Sequence, residues 1–168
     1  MQHLLIPGLL PTPDYARVVL ADSRAAHGLD LDDVDEAVQA RMAHQRVLHE
    51  PGHDFEFIIS EAALRLEIAP RPIMEAQLDR LQTLIGLPNV RLGILPLDRP
   101  LSVVPQPSVD IVDGQLVLIE LATGELRHIA ADDIGEHQAI FARAWADALE
   151  GEDARAIILG ASDRHRAA

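Results

Sequence analysis

Glu61 and Arg65 stand four residues apart, the spacing that lets a carboxylate and a guanidinium meet on one face of a helix. They follow Phe55–Ser60, whose alternating apolar and β-branched residues read as a strand, so the pair lies where a strand hands over to a helix. Sheets flanked by helices tend to bind ligands at that edge. The same two residues also make an ordinary helix ion pair worth about 0.3 to 0.5 kcal/mol, and a carboxylate near a helix start is favoured by the helix dipole. Both readings stand at this level. Arg41 and Arg46 fall on a predicted helix and could hold an acidic partner or a phosphate, or simply solvate the exposed face of a helix rich in carboxylates. Arg41, Glu61 and Arg65 are therefore the candidate ligand- or partner-binding residues.

Other groups that could do chemistry carry weaker patterns. His44, His49 and His53 could be presented together by a helix and the loop after it, but their spacing matches no zinc pattern and no cysteine assists them. The acidic run Asp30 to Glu36 lacks the glycine and ligand spacing of a calcium loop, and capping of a helix start explains it. Gly160-Ala161-Ser162-Asp163-Arg164 puts Arg where a nucleophile elbow needs its second Gly, and Ser162 is expected near a frayed end. No glycine-rich phosphate loop is present. Tyr15 and Trp145, each the single residue of its kind, read as core anchors with one polar edge satisfied. No catalytic residue, no metal ligand and no cofactor follows from these patterns.

The chain that must position these residues has 168 of them, near the usual size of one domain, and can bury roughly 70% of its unfolded surface without a disulfide or metal. Apolar residues make up 48% and aromatics only 3%, so the core is expected to be aliphatic. There is no cysteine, no basic-and-apolar leader at the start, and no apolar run approaching the ~20 residues of a membrane span. Together these fit a cytoplasmic protein without membrane association. The formal charge is −13, and all 14 basic residues are Arg. Phosphate contacts supply most non-specific nucleic-acid affinity, so direct nucleic-acid binding is not expected of this chain.

Thr12, Pro13 and Asp14 supply a cap, a first-turn proline and a first-turn acid, which predicts a helix from about Pro13 to His27, ended by Gly28. A second helix, Asp33 to Leu48, is capped by Asp30 or Asp32 and carries acids at its start and Arg41 and Arg46 toward its end. Phe55–Ser60 leads into the helix formers Glu61–Leu66, and Pro70 and Pro72 interrupt. A helix over Ile73–Ile85 follows, with Ile73, Ala76, Gln77, Leu81, Leu84 and Ile85 on its buried side, and Val90–Leu95 is a second apolar strand. A crossover of this length lets the two strands lie parallel. Asp113-Gly114 between Ser108–Val112 and Gln115–Leu121 is a hairpin signal, and Glu125–Ile129 is the third strand of an antiparallel meander. Helices from Asp132 or Asp133 to about Leu149 and over Asp153–Gly160 follow, with Asp163–Ala168 frayed. The expected fold is α+β, a central mixed β-sheet of parallel pair plus antiparallel meander flanked by helices.

Four blocks in order, Ile6–Leu20 (IPGLLPTPDYARVVL), Ala40–Leu48 (ARMAHQRVL), Phe55–Arg65 (FEFIISEAALR) and Ile73–Leu97 (IMEAQLDRLQTLIGLPNVRLGILPL), resemble an uncharacterised actinobacterial domain. That domain typically follows an Xre-type helix-turn-helix in antitoxin-like transcriptional regulators, the Scr family. The resemblance spans roughly Ile6 to Leu97. Pro11 stands where the family usually has Gln, and the aromatic-rich segment usual after the second strand is missing. The resemblance implies a single regulatory or sensor domain over residues 1–168, without the DNA-binding helix-turn-helix that usually precedes it. Only five residues stand before Ile6, so the chain is expected to be either trimmed to the C-terminal domain or naturally free-standing.

The implied role is non-catalytic, the effector- or partner-sensing and dimerising part of a transcriptional regulator. Its expected partners are a second copy, in a homodimer, and either a small protein encoded by a neighbouring gene or a small-molecule effector. Two other readings stay open: a small enzyme of unknown reaction with a pocket near Glu61 and Arg65, and a purely dimerising module. A deep polar pocket at the Ser60 or Leu95 strand ends favours the enzyme or sensor, and a flat apolar patch favours dimerisation.

Overall fold

The structure, a computed structural model, describes residues 4–26, 28, 33–103, 108–121 and 124–167. Helix α1 (Pro13–Ala26) starts on the expected cap, with the Tyr15 N–H donating to the Thr12 hydroxyl at 3.3 Å. His27, Asp30 and Asp32, expected at its end and at the next helix start, lie outside the described residues. Helix α2 (Val34–His44) tightens into a 3-10 turn over Gln45–His49 instead of continuing as an α-helix to Leu48. Three residues per turn stack Gln45 and Leu48 on one side, and both are buried.

Strand β1 (Phe55–Ser60), helices α3 (Glu61–Arg65) and α4 (Arg71–Leu84), and strand β2 (Val90–Leu95) form a strand–helix–strand unit. Its strands run parallel in the register Phe55↔Val90 through Ser60↔Leu95. Side chains alternate along a strand. Phe55, Phe57, Ile59, Val90, Leu92 and Ile94 therefore face the principal core, which α1, α4 and α6 (Gly151–Ala167) complete. Ile58 and Leu95 face the opposite way, toward Ala144 and Trp145 of α5 (Ala131–Asp147). Gly93 shares that face, where a Cβ would lie 2.9 Å from the Ala148 Cβ, so only glycine lets the end of α5 come this close.

On α4 the buried residues are Met74, Gln77, Leu78, Leu81 and Leu84, while Ala76 is exposed and Ile73 and Ile85 are half-buried. The buried stripe is thus rotated from the expected one toward Met74 and Leu78, the two larger side chains four residues apart.

Strands β3 (Val109–Val112), β4 (Leu116–Leu121) and β5 (Gly124–His128) form the antiparallel meander. Its hairpin closes through the Gln115 N–H to the Val112 carbonyl at 3.0 Å, with positive φ at Asp113 (52°) and Gly114 (63°), the backbone that Asp-Gly accepts most readily. The fold is α+β as expected, but the parallel pair and the meander are two sheets rather than one central mixed sheet. The outer edge of β2 is taken by Leu149, which exchanges two 2.9 Å hydrogen bonds with Ile94, so β3 does not pair there. The meander packs Val109 and Val117 on Ile134 of α5.

Helix α6 corrects the expectation of a frayed tail, for it is helical to Ala167 and buries Ala154, Ile158, Ala161, Ser162 and His165. The Arg155 guanidinium fastens it to α4 by donating to the Gln82 carbonyl at 3.1 Å. No helix among the described residues is long and apolar enough to cross a membrane.

Candidate functional site

The register of the parallel pair sets Ser60 beside Leu95, so both strands end together and the chain leaves them into α3 and into Pro96-Leu97. Ser60 is extended and caps α3, its Oγ accepting the Ala62 N–H at 3.2 Å. Glu61 follows at once and is only 7% exposed. One carboxylate oxygen accepts the Leu97 N–H at 2.8 Å and the other pairs with Arg65. A buried carboxylate so bonded ties the exits of β1 and β2 together.

The short helix α3 then ends at Leu66, and its Leu64 carbonyl meets His165 Nε2 at 2.8 Å. A carbonyl can only accept, so Nε2 carries the proton and Nδ1 is left facing Glu67 Oε1 at 3.8 Å. Ser162 lies three residues before His165 and is 1% exposed, yet its hydroxyl has no hydrogen-bond partner among the described residues. A serine nucleophile needs a base bonded to it, and Ser162 has none. Its burial in α6 corrects its expected place at a frayed end.

Of the three candidate residues, Glu61 and Arg65 are brought together and Arg41 is not part of their cluster. Arg41 lies on α2 with its guanidinium 3.8 Å from where a Cβ on Gly8 would sit, and it forms no ion pair among the described residues. Arg65 keeps a buried Nε without a partner, and about a third of its side chain, 35%, is exposed. His44, His49 and His53 are exposed, and no group of three or more His, Asp or Glu among the described residues could hold a metal ion.

The sequence did not point to the polar cross-links that tie the segment before α1 to the rest of the fold. Gln77, fully buried on α4, accepts the Thr12 N–H at 2.7 Å and donates to the Leu10 carbonyl at 3.2 Å. Gln45 donates to the Pro11 carbonyl at 2.8 Å and accepts from Arg80 at 3.2 Å. A glutamine inside an otherwise apolar helical stripe was the available signal. Tyr15 packs beneath them, its hydroxyl accepting the Ile6 N–H at 3.4 Å, and burial pushes the phenol up to about 12. On the α5 side of the sheet, Arg91 lies 4.4 Å from the Trp145 ring centre and pairs with Glu56 and Glu150, and the Trp145 indole N–H donates to Glu150 at 3.0 Å. Trp145 thus has the expected satisfied polar edge but is half-buried at the margin of the α5 cluster rather than a core anchor.

In the loop after β2, the Asp147 carboxylate accepts both the Ser102 N–H at 2.6 Å and the Ser102 hydroxyl at 2.7 Å. Those bonds hold the Asp147 carboxyl below its ordinary range. Near the meander, an open depression of about 540 Å³ is lined by Gly114, Gln115, Ile129, Ala131, Ile134 and Gln138, which offer amide and apolar groups but no titratable side chain.

No curated protein and no solved structure matches the chain. A family model matches residues 1–160, from the segment before α1 into α6 and well past Leu97, where the resemblance read from the sequence stops. With nearly the whole fold inside that match, the chain belongs to the family described as Domain of unknown function (DUF5753).

Proposed function

We propose that the chain is the non-catalytic regulatory domain of an antitoxin-like transcriptional regulator of the Scr type, a cytoplasmic homodimer that senses a partner on behalf of an Xre-type DNA-binding neighbour. The resemblance of Ile6–Leu97 supports the regulator context. The observation that carries the non-catalytic reading is the commitment of Glu61. At the strand-end edge where ligands usually bind, its carboxylate is held within the chain by the Leu97 N–H and by Arg65.

A charge of −13 suits a basic or apolar surface on a small protein encoded by a neighbouring gene, and charge steering accelerates that encounter at low salt. Arg41, unpaired on α2 among the described residues, is available to an acidic group on that protein or on a small-molecule effector. The membrane and nucleic acid are not partners of this domain in this reading.

Co-purification with the neighbour-encoded protein, followed by melting of the complex, is the test. Binding to the folded state raises the melting temperature by mass action, and no substrate is turned over. A rise caused by a small metabolite alone moves the reading to a ligand sensor. Turnover that depends on Glu61 and Arg65 restores the enzyme reading. Sequence-specific duplex binding by this chain tighter than about micromolar, in an anisotropy titration, contradicts the proposal. Whether the native reading frame encodes a helix-turn-helix ahead of Met1 tests the regulator context directly.

A further inference from the structure

Strand β5 is the outermost strand of the meander, and Gly124, Glu125, Leu126 and Arg127 along it are all exposed. Leu126 pairs with Ile119 of β4 beside Leu121; Leu126 and Leu121 are each 46% exposed, and Ile129 just beyond is 78% exposed. An open edge of this kind is a template for another strand, and a run of one charge is the usual guard against pairing. Here the two charges flanking Leu126 are of opposite sign.

We infer that β5 is the two-fold interface between two copies of this chain, joined antiparallel with Leu126 opposite the partner's Leu126. In that register Glu125 faces the partner's Arg127, and Arg127 faces the partner's Glu125. Sliding the strands by two residues sets Glu125 against the partner's Glu125 in one direction and Arg127 against the partner's Arg127 in the other. Like charges directly opposite are unfavourable, so the pattern admits one register.

A second observation points the same way. Within one chain Glu125 already lies directly opposite Glu120 on β4, a like-charge pair, and Arg127 lies 2.8 Å from Glu125 alone. The partner's Arg127 supplies the missing positive charge. The other edges lack this symmetry: β3 presents one acid, Asp110, among apolar residues, and β1 one acid, Glu56, with no basic residue on its own strand. Pairing two β5 strands makes a continuous six-stranded sheet with a seam of five residues per chain. A seam that small belongs with interfaces under about 1,200 Å², the range of weak and transient encounters.

The inference rests on the dimeric part of the proposed function and is separable from its partner-sensing part. Sedimentation velocity of the whole chain should show monomer giving way to dimer between about 1 and 100 µM. Glu125→Arg and Arg127→Glu should each stay monomeric over that range while keeping the cooperative melt of a folded chain, because both side chains are exposed. Their equimolar mixture should re-form a dimer, since a strand with two Arg then faces a strand with two Glu. A wild type that stays monomeric, single variants that stay dimeric, or a mixture that fails to re-associate overturns the β5 interface. A monomeric wild type that still captures the neighbour-encoded protein removes this interface and leaves the partner-sensing reading in place; a β5 dimer that captures nothing does the reverse.

Discussion

The parallel pair and the meander are built from the same aliphatic residues, yet only the first lies between two layers of helices. β1 and β2 have α1, α4 and α6 on one face and α5 on the other, and Ile58, Ile59 and Ile94 are fully buried. The meander has part of one face against Ile134, and its cluster holds Val109, Val117 and Ile134 with Ile111 and Ile119 at the margin. Polar groups follow the same division: Gln45, Gln77, Glu61 and His165 each bridge separate elements around the parallel pair, whereas Glu125 and Arg127 of β5 bond each other at the surface. Burial on both sides makes the first region the stable frame and leaves the second as the face with unspent edges and apolar surface.

The largest effect expected from this contrast is in the frame. Leu81→Ala should cost about 2 to 5 kcal/mol in denaturant melts, while Val117→Ala in the meander should cost about 1 to 2, because it removes fewer atoms and its thin surroundings can collapse. Equal losses at the two sites would break the comparison. Next comes Glu61→Ala, at about 2 to 3 kcal/mol, since it strands the Leu97 N–H and leaves Arg65 without its partner, with solvent softening the loss at a guanidinium that is 35% exposed.

Tyr15 should give a loss of about 2 to 3 kcal/mol that depends on pH. Burial raises its phenol from 10.0 to about 12, so the folded state favours the neutral form. That contribution is complete below pH 10 and disappears as pH rises through about 12, and Tyr15→Phe should flatten this alkaline decline in melting experiments. The smallest effect belongs to the rim: Leu126→Ala should change monomer stability by less than about 0.5 kcal/mol, and a larger loss would mean that β5 is packed against its own chain after all.

Much of the candidate site was legible because its parts are local. Glu61 and Arg65 meet because four residues span one helical turn, and the strand-to-helix junction that carries them is written in Phe55–Ser60 and the helix formers after it. Ser162 and His165 escaped because the polar ending Asp163–Arg166 masks a spacing that, with Ala154, Ile158 and Ala161, marks one continuous buried face. Arg41 could not be placed from its helix alone, since nothing in α2 announces that the Gly8 turn comes to lie against it.

By itself the sequence determined the aliphatic core, the acidic surface, the Thr12 cap, the parallel strand–helix–strand unit and the Asp113-Gly114 hairpin. Each of these depends on periodicity or on the backbone preferences of adjacent residues. Only the tertiary structure decided that the strands divide into two sheets, that Leu149 closes the edge of β2, and that α4 turns Met74 and Leu78 inward. It also decided that Glu61 spends its second oxygen on Leu97, 36 residues away. Those outcomes come from surfaces distant in sequence competing for the same edge, face or hydrogen bond, and the winner is set by which arrangement leaves the fewest buried polar groups unpaired and the least apolar area in water.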